Sequence, residues 1–358
     1  MSTLSVLPDK PLTGSFRCVA AGDRLKRQLE PVCAGQLYTW GRGHDGQLGQ
    51  TEFRFPKDCC ALPRPVLSLT SVVHVACGGG DHGCTAAVTS DGRVYTFGSN
   101  YGGRLGHGQG ESDIHVPKLV DRLSGVHTTH VACGLAHMLS LDASGRVYSW
   151  GRPTNGCLGN ISKSVKVGKA EVHLPKPVDD VASGKSSHVN SKEPYKRISA
   201  HQSPTLVNVI GIDACDHVSA AVLSDGRLVM WGSNDNGELG MGDHTHRYAP
   251  AEVNGLPFIH FVSVGSRYTG ACTNYGELFT WGYGGSGNLG HGDRRNRSTP
   301  RRVEGSIELE YMVYVSCSRN QYTQCIAGQK KNAVNGRTGL HTVALSIYGE
   351  MYSWGAAY

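Results

Sequence analysis

Six short segments alternate large apolar or aromatic residues with small or polar ones: GQLYTW at 35–40, GRVYTF at 92–97, GRVYSW at 145–150, GRLVMW at 226–231, GELFTW at 276–281 and GEMYSW at 349–354. A period of two over five or six residues marks a strand with two unlike faces. Five of the segments run without a gap into W/F-G-x-x-x-x-G-x-L-G, starting at Trp40, Phe97, Trp150, Trp231 and Trp281, while a sixth starts at Trp354 and reads WGAAY. Upstream lies a second strand with a V-x-x-G element, at Val19, Val75, Val131 and Val262, and in the degenerate form VSCS at Val315. Downstream, all five full copies reach P-x-x-V, at Pro63–Val66, Pro117–Val120, Pro175–Val178, Pro250–Val253 and Pro300–Val303. Proline cannot donate to a ladder, so it belongs at the start or edge of a strand.

Three or four short antiparallel strands in a repeat of about 50 residues make a propeller blade. An isolated blade cannot bury both faces, so the aromatic before the first Gly and the Leu before the last are expected to pack between blades. The aromatic positions step by 57, 53, 81, 50 and 73 residues. The two long steps hold polar inserts, about 179–208 and about 318–339, which are expected to be surface loops where function resides.

Composition agrees with this pattern. Gly reaches 48 of 358 residues against 15 Pro, as many tight turns require. The net charge of +6 favours acidic partners without demanding them and is no nucleic-acid signature. The first 30 residues lack the apolar stretch of a signal peptide and no membrane-spanning run is present, so a soluble or assembly-bound intracellular protein, cytoplasmic, cytoskeletal or nuclear, is expected. The 12 cysteines include no C-x-x-C pair, and reduced thiols are expected in so large a chain.

The paired signatures W-G-x-x-x-x-G-x-L-G and V-x-C-G, together with His341-Thr342-Val343-Ala344-Leu345, resemble the regulator-of-chromosome-condensation (RCC1-like) repeat over residues 14 to 358. The resemblance implies an all-β, seven-bladed propeller occupying the chain as a single domain, 1–358. Six repeats are visible, and ring closure is left open between six units and a family-like ring with unusual closure. LPDKPL at 7–12 resembles LPRPVL at 62–67 and LPKPVD at 174–179, and would supply the opening P-x-x-V. Family members include exchange factors for Ran-type GTPases, chromatin-binding proteins, accessory domains of ubiquitin ligases and cytoskeletal or ciliary scaffolds, so fold alone leaves function open.

Candidate chemistry is sparse. Three G-x-G-x-x-G spans, at Gly41–Gly46, Gly282–Gly287 and Gly285–Gly290, lack the following helix that a dinucleotide site needs. Asp243, His244 and His246 want further ligands to make a metal site, and Cys59-Cys60 lacks an activating base. No catalytic constellation, cofactor site or metal site is assigned, and the chain is read as a non-enzyme. The sharpest charge feature is GDRRNRSTPRR, with Arg294, Arg295, Arg297, Arg301 and Arg302 within nine residues. Guanidinium groups suit carboxylate or phosphate contacts. Without interleaved aromatics, direct nucleic-acid binding is not expected. The leading expectation is a non-catalytic interaction propeller that scaffolds protein partners, with nucleotide exchange on a small GTPase, or a chromatin adaptor role, as the alternative.

Overall fold

The computed structural model describes residues 4–7, 35–50, 59–79, 82–108, 112–159, 172–178, 206–305, 307–319 and 340–356. They form six antiparallel sheets, four of four strands and two of three. Blade 2 is typical, its strands running in order from the innermost, Val72–Gly78, through Cys84–Thr89 and Val94–Gly98 to the outermost, Ile114–Leu119. Blades 3, 4 and 5 repeat it with innermost strands Thr128–Cys133, Val209–Cys215 and Ile259–Val264. Blade 1 pairs Leu4–Leu7, Gln36–Arg42 and Cys59–Pro65, and blade 6 pairs Met312–Cys317, His341–Ser346 and Met351–Gly355. The expected V-x-x-G element at Val19 and the P-x-x-V counterpart at 8–12 lie outside the described residues.

The core is a series of seams. Five apolar clusters each draw side chains from two successive blades, from Leu37 with Val75 and Phe97 at the first seam to Leu289 with Val315 and Ala344 at the fifth. Trp150, Trp231 and Trp281 are fully buried there. Each buries roughly 150–250 Å², an upper bound of about 4–6 kcal/mol at ~25 cal/mol per Å².

A hydrogen-bond latch gives the repeat its grammar. The indole N–H of Trp150, Trp231, Trp281 and Trp354 donates to the carbonyl of Arg104, Cys157, Glu238 and Asn288, at 2.7 to 2.9 Å. That carbonyl belongs in each case to the residue before Leu in the previous blade's G-x-L-G. Hydroxyls at the start of the second strand reach the same carbonyls from Ser219, Thr269 and Thr342. Phe97 has no N–H, and there Thr85 alone caps the Gln47 carbonyl. The last Gly of G-x-L-G is needed because a Cβ on Gly240 would lie 2.8 Å from the Trp281 indole nitrogen, at φ +74. The expected interblade role of the aromatic and the Leu is therefore met, and it is polar as well as apolar.

The latches run from blade 1 to blade 6. No apolar cluster joins blade 6 to blade 1 among the described residues, and Trp40 has no latch there.

Candidate functional site

Strand direction gives the ring two distinct faces. Innermost strands end, and the W-G-to-L-G loops lie, on one side, here called the loop face; the X-Gly turns between second and third strands lie on the opposite turn face. The described ends of the two inserts lie at different faces. The bulk of the first, 179–205, lies outside the described residues, but Leu206 N–H donates to the Val178 carbonyl at 2.9 Å, next to the turn face. The second leaves from Ser318 and Arg319 on the loop face, and Ser318 N–H meets the His341 carbonyl at 3.1 Å. Residues 320–339 of that insert also lie outside the described residues.

On the loop face the innermost strands are tied together. Gly79 N–H donates to Gly134, Leu135 to Asp216 and Ser266 to Ser318, at 3.1, 2.8 and 3.0 Å. The Ser266 hydroxyl donates to the Asp216 carboxylate at 2.7 Å, and burial raises the Asp216 pKa. Sequence reading found no V-x-x-G element in the fourth repeat. Strand register supplies it: Ala214 faces Ser219 as Cys77 faces Thr85, so Ile212-Asp213-Ala214-Cys215 stands where blade 2 has Val75 to Gly78.

Asp213 thus occupies a position held elsewhere by Ala76, Ala132, Ser263 and Ser316. One carboxylate oxygen accepts from Val264 N–H of blade 5 at 2.7 Å, while the other meets the guanidinium of Arg319 from blade 6. Arg319 also donates to the carbonyls of Cys77 and Cys133, at 3.3 and 3.4 Å. Two departures from the repeat are therefore partners, and the clasp touches blades 2 to 6. Only the tertiary structure pairs them.

The arginine cluster does not form one patch. Arg294 and Arg295 are exposed in the loop-face loop. Arg297 starts the outermost strand of blade 5 and is held by Asp293 at 2.5 Å, the equivalent of the Arg247–Asp243 pair at 2.7 Å in blade 4. Arg301 and Arg302 lie further along that strand, toward the turn face, where Arg302 meets Glu277 at 3.3 Å and Arg301 meets Glu304 at 3.9 Å. Alternation sends neighbouring strand residues to opposite faces of the sheet.

The turn face carries a feature that sequence reading missed. The residue before the turn glycine is Asp91, Ser144 and Asp225 in blades 2 to 4, but Tyr275 and Tyr348 in blades 5 and 6. Tyr275 is 69% exposed and Tyr348 82%, and Leu309 and Met351 are also exposed. Tyr311 links the two blades, because its ring packs under Gly276 and its backbone carbonyl accepts from Ile347 N–H. Glu304, Glu308 and Glu350 are exposed at the same end. The signal was present as Y-G-E replacing D-G-R or S-G-R.

The other motifs have structural occupations. Asp243 accepts from Asn234, Thr245 N–H and Arg247, while His246 Nδ1 accepts from Asn234 N–H at 3.0 Å. No group of three metal-ligating side chains occurs among the described residues. The eight cysteines whose side chains are described are free thiols. No helix among the described residues is long and apolar enough to cross a membrane.

Latched antiparallel blades of three or four described strands, packed side by side, define an RCC1-like propeller. The model of the RCC1-like domain matches residues 32–324, and the chain belongs to that family. It is 31% identical to the human E3 ubiquitin-protein ligase HERC2 over 261 residues, 71% of this chain and 5% of the ligase. It is 34% identical to the Arabidopsis thaliana ultraviolet-B receptor UVR8 over 238 residues, 64% of this chain and 45% of the receptor. The chain thus spans less than half of either relative. Among solved structures, human WBSCR16 superposes with a TM-score of 0.66 at 18% identity, covering 89% of this chain and 73% of that one. Yeast RCC1 (Prp20) in its complex with Kap60 gives 0.62 at 19% identity, covering 89% and 66%.

Proposed function

We propose that the chain is a non-catalytic interaction propeller, a single domain over 1–358 that holds protein partners in a larger, cytoskeletal or ciliary, assembly. The observation that carries this reading is the exposed apolar group on the turn face of blades 5 and 6. Exposed aromatics grouped on a rigid scaffold favour protein association, since burying them on contact releases water at little conformational cost. The acidic residues beside them suit a partner segment that is both apolar and basic, while Arg294 and Arg295 on the opposite face suit an acidic one. The test is quantitative proximity labelling in native cells with the wild type and a Tyr275→Ser/Leu309→Ser/Tyr348→Ser variant. The expected result is a defined set of proteins depleted at least about tenfold by the variant, equivalent to ~1.4 kcal/mol of binding, at unchanged thermal stability. An identical labelled set would reject this surface.

The superposition on yeast RCC1 supports a second reading, nucleotide exchange on a Ran-type GTPase. Its measurement is release of fluorescent GDP from a panel of such GTPases. Acceleration that is lost on Arg294→Glu/Arg295→Glu would support exchange through the loop face, and no acceleration across the panel would discard it.

A further inference from the structure

The outermost strand of blades 1 to 5 is laid down in one register. The N–H of each P-x-x-V valine donates to the carbonyl two residues after the turn glycine, from Val66 to Leu37 in blade 1 through to Val303 to Leu278 in blade 5, at 2.8 to 2.9 Å. Antiparallel pairing alternates hydrogen-bonded and open positions. The next bonded pair therefore joins the residue two before the valine to the third strand, as Lys176 opposite Ser149 and Arg301 opposite Thr280. The prolines fall between, where an N–H would point to solvent and none is missed. The five valines are at most 5% exposed.

Blade 6 presents the same acceptor strand, and that strand is uncovered. Tyr352-Ser353-Trp354-Gly355 repeats Tyr148-Ser149-Trp150-Gly151 of blade 3 residue for residue. Ser346 N–H donates to the Glu350 carbonyl at 2.9 Å on the inner side. Alternation then directs the N–H and C=O groups of Met351 and Ser353 outward, and among the described residues no fourth strand pairs there. Met351 is 75% exposed, whereas Val94, Val147, Leu228 and Leu278 in its position are at most 2% exposed. An edge of unpaired backbone groups is a template for an added strand.

Charge selects which strand fits. The residue after the turn glycine pairs with the residue before the P-x-x-V valine: Arg227 meets Glu252 at 3.3 Å in blade 4, and Glu277 meets Arg302 at 3.3 Å in blade 5. The two blades carry the same pair with its signs exchanged. Blade 6 has Glu350 at this position, exposed, and so calls for a basic residue before the valine.

We propose that the Met351–Gly355 edge of blade 6 binds, by strand addition, an extended segment of a partner protein of the form Pro-x-(Arg/Lys)-Val. The segment's valine N–H donates to the Met351 carbonyl, the N–H two residues earlier donates to the Ser353 carbonyl, and its basic side chain meets Glu350. The proposal rests on the reading of the chain as an interaction propeller. Its surface is separate from Tyr275, Leu309 and Tyr348, so either site can fail while the other binds.

The test titrates the full chain with the synthetic peptide RSTPRRV, the sequence of residues 297–303, and follows amide hydrogen exchange by NMR at low salt. At saturating peptide, exchange at Met351 and Ser353 should slow at least about tenfold, since these amides become bonded to the added strand. The same peptide N-methylated at the positions of Arg301 and Val303 keeps its charge but loses both donors, and should give no protection. Glu350→Arg should weaken RSTPRRV about two- to fivefold, the range of an exposed ion pair. The same variant should strengthen RYAPAEV, the sequence of residues 247–253, by a similar factor. No protection at millimolar peptide, equal binding of the methylated peptide, protection confined to other strands, or a charge preference unmoved by Glu350→Arg would each overturn the proposal.

Discussion

His137 illustrates how a repeat position becomes a pH-sensitive one. It is fully buried at the seam of blades 3 and 4, with Nε2 bonded to the Ser219 hydroxyl at 2.9 Å and Nδ1 without a partner among the described residues. Burial, with the nearby His217 adding to it, lowers its pKa from 6.5 to about 3. The unfolded chain therefore binds a proton that the folded one refuses, and stability falls as pH drops from 6.5 toward 3, by about 1.4 kcal/mol per pH unit at most. Asp216 and Glu238, whose pKa values burial raises, act in the opposite sense as they take up protons. Urea midpoints measured between pH 7 and 4 should lose part of their pH slope in His137→Gln. An unchanged slope would remove His137 from the account.

Strands and loops were legible because each blade repeats one local solution. The turn glycine, the alternating strand and the W-G or F-G step are short-range features, so their spacing alone located these six strands. The Asp213–Arg319 clasp was not legible, since its partners are 106 positions apart and meet only where the innermost strands of several blades come together. Arg319 keeps about a third of its side chain in solvent, so breaking the clasp should cost about 1–2 kcal/mol, below the range for fully buried pairs. Asp213→Ala and Arg319→Ala are each expected to lower stability by that amount, and the double variant by less than the sum. Additive losses in guanidinium melts would show that the two side chains act independently.

On the scale of the whole molecule, the inserts leave and return through bases already hydrogen-bonded shut, at Val178 with Leu206 and at Ser318 with His341. Lengthening a loop adds only about 0.6 kcal/mol of closure entropy per doubling. Replacing 180–204 by a short Gly-Ser linker should therefore leave the melting temperature within a few degrees, about 1 kcal/mol or less for a chain of this size. A collapse in stability would show that the first insert forms part of the ring. The amino-acid sequence by itself determined the blade, its strand order and its family, because a repeat whose faces demand neighbours carries its own packing rule in W, L-G and the turn glycines. Only the tertiary structure decided that the inserts leave from opposite faces, that the five arginines divide between ion pairs and solvent, and that Tyr275, Leu309 and Tyr348 gather on one side. Those outcomes depend on strand direction and on contacts between residues far apart in the chain, which no local pattern encodes.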